Sequence, residues 1–250
     1  MFPLLTTTGY QVRVTRAAAD IIAAQRLRYE IFNVELNEGL ASSRRNQLDA
    51  DPFDAQCDHL VIEEERSRKI VGTYRLQTGA MAGAGIGYYS ACEFDFAPYD
   101  PLRGSILELG RACIHKDHRR RAVLDLLWRG IISCATGRGS RYLLGCSSLT
   151  SQDPDEGWGL YQQLAARHLA PPGLRTNPLP SYQLPDPGEA LPKVRPPKLF
   201  AAYLKVGAVI AGPPAIDREF QTIDFLTLLD LAKMASVVKA HFNRQHDPDS

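Results

Sequence analysis

The chain offers little sulfur chemistry. Its five cysteines (Cys57, Cys92, Cys113, Cys134, Cys146) are odd in number and scattered, with no C-x-x-C. No disulfide framework, zinc site or other metal site is expected, and a reducing cytosol fits. No apolar run approaches the length of a membrane span, and MFPLLTTTGY has no charged leader before an apolar core. The reading is a soluble cytoplasmic protein, peripheral at an inner membrane at most. Net charge is nearly absent at +1, so the whole chain is no general nucleic-acid binder. The glycine run GAMAGAGIG (79–87) lacks the Lys-Ser/Thr of a P-loop and leads into YYSACEFDF instead of a helix. That excludes a nucleotide fingerprint, and a mobile loop is expected there. No internal repeat is visible.

What is present centres on residues 106–132, ILELGRACIHKDHRRRAVLDLLWRGII. Residues 106–114 read as a strand. Val123, Leu124, Leu127, Trp128 and Ile131 recur at helical spacing. Between them lies KDHRRR, which puts arginines where a helix start already carries about half a positive charge. An anionic ligand would resolve this, because free N–H groups and guanidinium donors both point at it. A solvated face or nucleic-acid patch is the plainer alternative. Residues 103–141 carry nine Lys and Arg against three acids, so an acidic partner for this region is expected. Glu108, in the middle of an apolar strand, must be paired or working. In a regular strand it and Arg111 would face opposite ways, and a bulge at Gly110 would change this. Structural pairing with Arg111 or Arg75 is the bland alternative.

Along the chain, residues 11–14 read as a strand. Thr15 caps a helix whose face is Ile21, Ala24, Leu27 and Ile31, with Phe32 beside it; Asn37-Glu38-Gly39 ends it. Residues 40–56 are polar and irregular, and Asp49, Asp51, Asp54 and Asp58 fall within ten residues. They form either a solvated loop or a cluster that recognises a cationic group. Residues 59–64 and 69–76 form a hairpin. His59 at its start has a structural role as the alternative to a catalytic one. Residues 141–148 are a strand and 161–168 a short helix. Residues 171–197 hold nine prolines and read as an extended insertion outside the core. Residues 198–206 read as a strand, 222–229 as the last strand and 231–242 as a terminal helix. With one crossover helix after the fourth strand, the whole of 1–250 is expected to be one α/β (α+β) domain, a mixed sheet flanked by helices.

RYEIF, the acidic loop ending D-x-x-F-D-x-x-C-D-H-L-V, GTYRL, YYSACEFDF, ELGRACI and GAVIAGPPAIDREF-x-T-x-D-F together resemble the ornithine-lipid-type, or hemolysin-like, N-acyltransferases. That group is related to the long-chain N-acyl amino acid synthases and, more distantly, to the acyl-homoserine-lactone synthases. The resemblance implies a GNAT-like fold with no bound cofactor. It also implies transfer of a (3-hydroxy)acyl chain from the 4′-phosphopantetheine thioester of acyl carrier protein to an amino acid amine. Where CoA-using GNAT enzymes have a glycine-rich phosphate loop, this chain has RRRAVL, which suits a carrier protein better than a pyrophosphate.

In that reading Glu108 is the base, and Arg111 and His59 join it as candidate catalytic residues. Lys116, His118, Arg119, Arg120 and Arg121 would bind the donor. The resemblance places Arg28, Phe32, Asp51 and Asp54 near the acyl and acceptor pocket. Arg75 and Arg111 could hold the acceptor carboxylate or organise Glu108. The acidic loop is expected to favour a cationic acceptor side chain. Amine attack needs no cysteine nucleophile. An O-acyltransferase of the H-x-x-x-x-D type is disfavoured, since His59 is followed at that distance by Glu64. The resemblance favours ornithine as acceptor; an N-acyl amino acid synthase for a neutral amino acid such as glycine or tyrosine, and a non-catalytic lipid- or carrier-binding protein, are the alternatives.

Overall fold

A computed structural model describes residues 5–234. Among these, nine strands form one sheet: β1 (Leu5–Thr7), β2 (Tyr10–Thr15), β3 (Asp58–Glu64), β4 (Ile70–Thr78), β5 (Ile106–Ile114), β6 (Tyr142–Leu149), β7 (Val209–Ile210), β8 (Ala215–Asp217) and β9 (Thr222–Asp230). The spatial order is β1-β2-β3-β4-β5-β6-β9-β7, with β8 also on β9. Only β5 and β6 are parallel. A parallel neighbour needs a crossover, which is α3 (Arg121–Gly137); it follows the 106–114 strand as expected, counted fifth here because Leu5–Thr7 adds a strand.

Alternation along β3 and β4 gives the sheet two unlike faces. Leu60, Ile62, Tyr74 and Leu76 pack with Val123, Leu126, Leu127 and Ile131 of α3. At Gly130 a Cβ would sit 2.9 Å from Leu60, so glycine lets α3 lie close on the sheet. On the other face His59, Thr73, Arg75 and Gln77 are buried under α1 (Ala18–Tyr29), which continues as a π-helical turn over Glu30–Glu35. The largest apolar cluster therefore sits on the α3 side, and buried charge on the α1 side.

β5 and β6 pair only over Ile106–Glu108 and Tyr142–Leu144, although both strands run on. At the end of the pairing a Cβ on Gly145 would lie 2.1 Å from the Leu109 carbonyl oxygen, so only glycine permits that approach. Beyond it the two strands bound a cavity of about 290 Å³.

Several sequence expectations change. The glycine run opens as helix α2 (Gly79–Ala84), because the Thr78 hydroxyl accepts from the Met81 N–H and caps it. Helix α4 (Pro154–His168) starts earlier than expected, at an Asp153 cap. Residues 198–205 are helix α5 (Lys198–Lys205), not a strand; Phe200 and Leu204, four apart, are its buried face. The cap position of α1 is Ala17, not Thr15, whose hydroxyl instead donates to Asp20. The proline-rich stretch is not wholly outside the core, since Thr176 and Leu184 are buried and Gln183 bridges Ala215. Leu231–Met234 form a turn, and the rest of the expected terminal helix lies outside the described residues.

Candidate active site

The β4–β5 ladder slips between Thr73/Cys113 and Arg75/Gly110, giving β5 one extra residue. The residue that absorbs the slip is Arg111, with φ +51°, a conformation that costs a non-glycine residue about 1 kcal/mol or more. The bulge expected at Gly110 is present, and its left-handed residue is the arginine. It turns Arg111 onto the face that carries Arg75. The Arg111 guanidinium lies 4.3 Å from the Phe220 ring centroid and 5.2 Å from that of Tyr89. Glu108 is buried on the same face. Its Oε2 accepts the Tyr89 N–H at 2.9 Å and its Oε1 the Ser90 N–H at 2.8 Å. Burial raises its pKa, and these N–H bonds oppose the rise. Glu108, Gly110, Arg111, Arg75, Phe32 and Tyr89 all line the cavity.

The acidic loop has a different occupant from the one expected. Arg28, fully buried, bonds Asp49 Oδ1 at 2.9 Å and both Asp54 oxygens at 3.0 and 2.6 Å. Arg75 bonds Asp51 at 2.5 Å and Asp54 at 3.1 Å, and Arg111 bonds Asp51 at 3.0 Å. Three aspartates thus face three arginines. Burial would raise the Asp54 pKa, but Arg28 and Arg75 hold it well below the usual range; Asp51 is held down in the same way by Arg75 and Arg111. Asp51 also caps the 3-10 turn Pro52–Ala55. Asp49, Asp51, Asp54 and Arg28 do not line the cavity. They hold Arg75 and Arg111, which do line it, from behind.

His59 is fully buried, and its Nε2 pairs with the Asp54 carbonyl at 3.0 Å. Burial lowers its pKa. It is not among the residues that line the cavity. The donor candidates gather at the start of α3, outside the cavity. His118 Nδ1 meets the Tyr10 hydroxyl at 3.0 Å. Arg119 forks onto Glu35 at 2.5 and 2.8 Å. Lys116, Arg120 and Arg121 are exposed, Arg121 lying 3.6 Å from Asp125. No side chain caps α3.

Sequence reasoning missed the opposite wall. Glu38, Glu93, Asp217 and Asp224 are buried there, and among the described residues none has an arginine or lysine within ion-pair distance. Glu38 accepts from the Thr150 hydroxyl at 2.7 Å, yet burial pushes its pKa up to about 7. Burial and mutual repulsion also push Glu93 and Asp224 upward. A carboxylate of each, with the Cys146 sulfur, lies within 4.8 Å of the others. Burial pushes the Cys146 thiol upward as well. The available signal was the one used for Glu108: an acid set among apolar and aromatic residues, in YYSACEFDF and in F-x-T-x-D-F.

Residues 27–129 match the family model described as an acetyltransferase (GNAT) domain. Over 95% of its length the chain is 33% identical to an L-ornithine N(alpha)-acyltransferase of Rhodobacter capsulatus, covering 96% of that protein. The chain belongs to the L-ornithine N(alpha)-acyltransferase family. The family's fold is seen in solved structures. One is BjaI, a CoA-dependent acyl-homoserine lactone synthase solved with SAM and isopentyl-CoA: TM-score 0.55, 16% identity, 94% of this chain and 89% of that one. Another is FeeM, an N-acyl amino acid synthase from uncultured soil microbes: TM-score 0.53, 12% identity, 92% and 97% coverage. At these identities the likeness shows the fold alone. This family member is an acyltransferase of GNAT fold.

Proposed function

We propose that this acyltransferase moves a long-chain (3-hydroxy)acyl group from acyl carrier protein to the α-amine of ornithine. The observation that carries the reading is the cavity at the strand parting. One end is apolar, with Trp128, Leu143, Tyr203 and Leu229, and the other holds Glu108, Arg111, Tyr89 and Asp224. A fatty chain fits the first end and an amino acid the second.

The neutral amine attacks the thioester carbonyl, forming the C–N bond. The oxyanion meets N–H groups on the β5 edge beyond Glu108, where no β6 partner remains. Glu108 takes the amine proton, directly or through water, and the C–S bond then breaks with the thiol leaving protonated. Its raised pKa suits a base that must release the proton again. Arg111, locked between Asp51, Phe220 and Tyr89, is a positioning residue. Lys116, Arg120, Arg121 and the uncapped start of α3 offer an anion site for the phosphodiester and acidic surface of a carrier protein. The product is an amphiphile. Val34 (64% exposed) and Leu36 project from the turn after α1, and Leu36 also lines the cavity, which fits release at a membrane surface.

The test is acylation of ornithine by the purified protein with 3-hydroxyacyl-carrier protein or the matching acyl-CoA, with the amide read by mass spectrometry. Amide from the carrier-bound donor at a clearly higher kcat/KM is expected. No amide from either donor overturns the reading.

A further inference from the structure

We infer that Glu38, Glu93 and Asp224 form the wall that receives a second, side-chain ammonium of the acceptor, so that a diamino acid is selected by these residues and not by the acidic loop. This rests on the N-acyltransferase reading and assigns its acceptor specificity.

Two independent observations carry it. The first is a charge imbalance across Tyr89. On its Arg111 side, Asp49, Asp51 and Asp54 are balanced by three arginines. On its other side four buried acids have, among the described residues, no arginine or lysine within ion-pair distance. Asp217 is the one most nearly satisfied: its Oδ1 accepts the Glu219 and Phe220 N–H groups, and its Oδ2 receives the Tyr89 hydroxyl at 3.4 Å. Ionising buried carboxyl groups that have no cation beside them is costly. Burial and mutual repulsion already hold Glu38, Glu93 and Asp224 toward their neutral forms; an incoming cation would favour the ionised form.

The second is hydrogen-bonding capacity left open. Among the described residues no N–H or O–H group bonds Glu93 Oε1 or Asp224 Oδ1; the two carboxyl groups face each other, and only 1% and 3% of the two residues is exposed. Asp224, Glu38, Cys146 and Thr150 line the cavity, with Glu93 immediately behind Cys146, whose sulfur lies 3.7 Å from Glu93 Oε2. An alkylammonium donates three N–H bonds of about 2.8 Å in tetrahedral directions, so its acceptors stand about 4.6 Å apart. The Glu93, Cys146 and Asp224 atoms all lie within 4.8 Å of one another, close enough together for one ammonium to meet more than one of them. Glu38 shares the cavity and feels the Asp224 charge.

The test compares ornithine with 2-aminopentanoate, the same carbon chain without the second amine, using the protein with its acyl donor. The ornithine-to-aminopentanoate ratio of kcat/KM is expected at about tenfold to a hundredfold, the range of one or two charge-assisted bonds. Asp224→Asn should cut that ratio at least tenfold, mostly through the KM for ornithine. Glu38→Gln should cut it too, and it serves alone if the Asp224 variant does not fold. A ratio near one in the wild type, or an unchanged ratio in both folded variants, overturns the inference while leaving N-acylation standing. Absence of amide with any acceptor overturns the N-acyltransferase reading instead. Metal analysis finding one tightly held divalent ion per chain, with EDTA abolishing the ratio, would make the cluster a metal site and overturn the ammonium assignment.

Discussion

Asp54→Asn separates a structural acidic loop from a substrate-binding one. The Asp54 carboxylate accepts from Arg28 twice, from Arg75 and from the Gln25 amide at 2.9 Å. Asparagine keeps one oxygen and turns an N–H₂ toward guanidinium donors, leaving buried positive charge uncompensated. Breaking one partner of such a pair costs about 3–5 kcal/mol, against a total stability of about 5–15 kcal/mol. For a chain of this size each kcal/mol moves Tm by about 2–4 °C, so a fall of about 6–20 °C is expected. The sign with pH is fixed. Asp54 has a depressed folded pKa, so its contribution is complete above the unfolded value of 3.8 and is lost as pH falls below it. Wild type and variant should therefore differ most near neutrality and converge in acid. Thermal unfolding across pH, paired with ornithine-against-aminopentanoate kinetics on the folded fraction, reads both quantities. A Tm within about 2 °C of wild type with a collapsed ornithine preference would refute the reasoning, since Asp54 would then be facing the acceptor.

Charge reversal at Arg120 or Arg121 should lower kcat/KM for the carrier-bound donor, and wild-type rates should fall with added salt; equal use of acyl-CoA with no salt effect would count against carrier recognition. Glu108→Gln should lower turnover at least about 10²-fold and remove the lower limb of the pH–rate profile. The amide cannot accept from both the Tyr89 and Ser90 N–H groups, so a fold check must accompany it; a folded variant within a fewfold of wild type would make Glu108 structural. Glu38 rises from 4.5 to about 7 on folding, so its protonated form stabilises the fold at low pH and that stability is lost as pH climbs from 4.5 through 7. Glu38→Gln should therefore stabilise by up to about 3 kcal/mol at pH 8 and by little at pH 5, measured by urea unfolding; stabilisation that is equal at both pH values would refute the assignment.

Local pattern was enough for much of the scaffold. The β3–β4 hairpin follows from alternation around a charged turn. α3 follows from a three- and four-residue apolar period, and the bulge from a glycine between two charges that a flat strand would set on opposite faces. Local pattern could not decide between strand and helix for Lys198–Lys205, because a short apolar run serves either until a neighbour selects the Phe200–Leu204 face. Nor could it tell which acids meet arginines. Asp49, Asp51 and Asp54 look solvated in a polar loop, yet Arg28, Arg75 and Arg111 lie 21 to 60 positions away and reach them only once β4, β5 and α1 are stacked. Glu38, Glu93 and Asp224 are the converse case. Glu93 and Asp224 are readable as odd acids in apolar stretches and Glu38 is not, and their shared crowding of acids exists only after three distant segments close together, because electrostatic coupling depends on distance through space and burial, and neither is written in neighbouring residues.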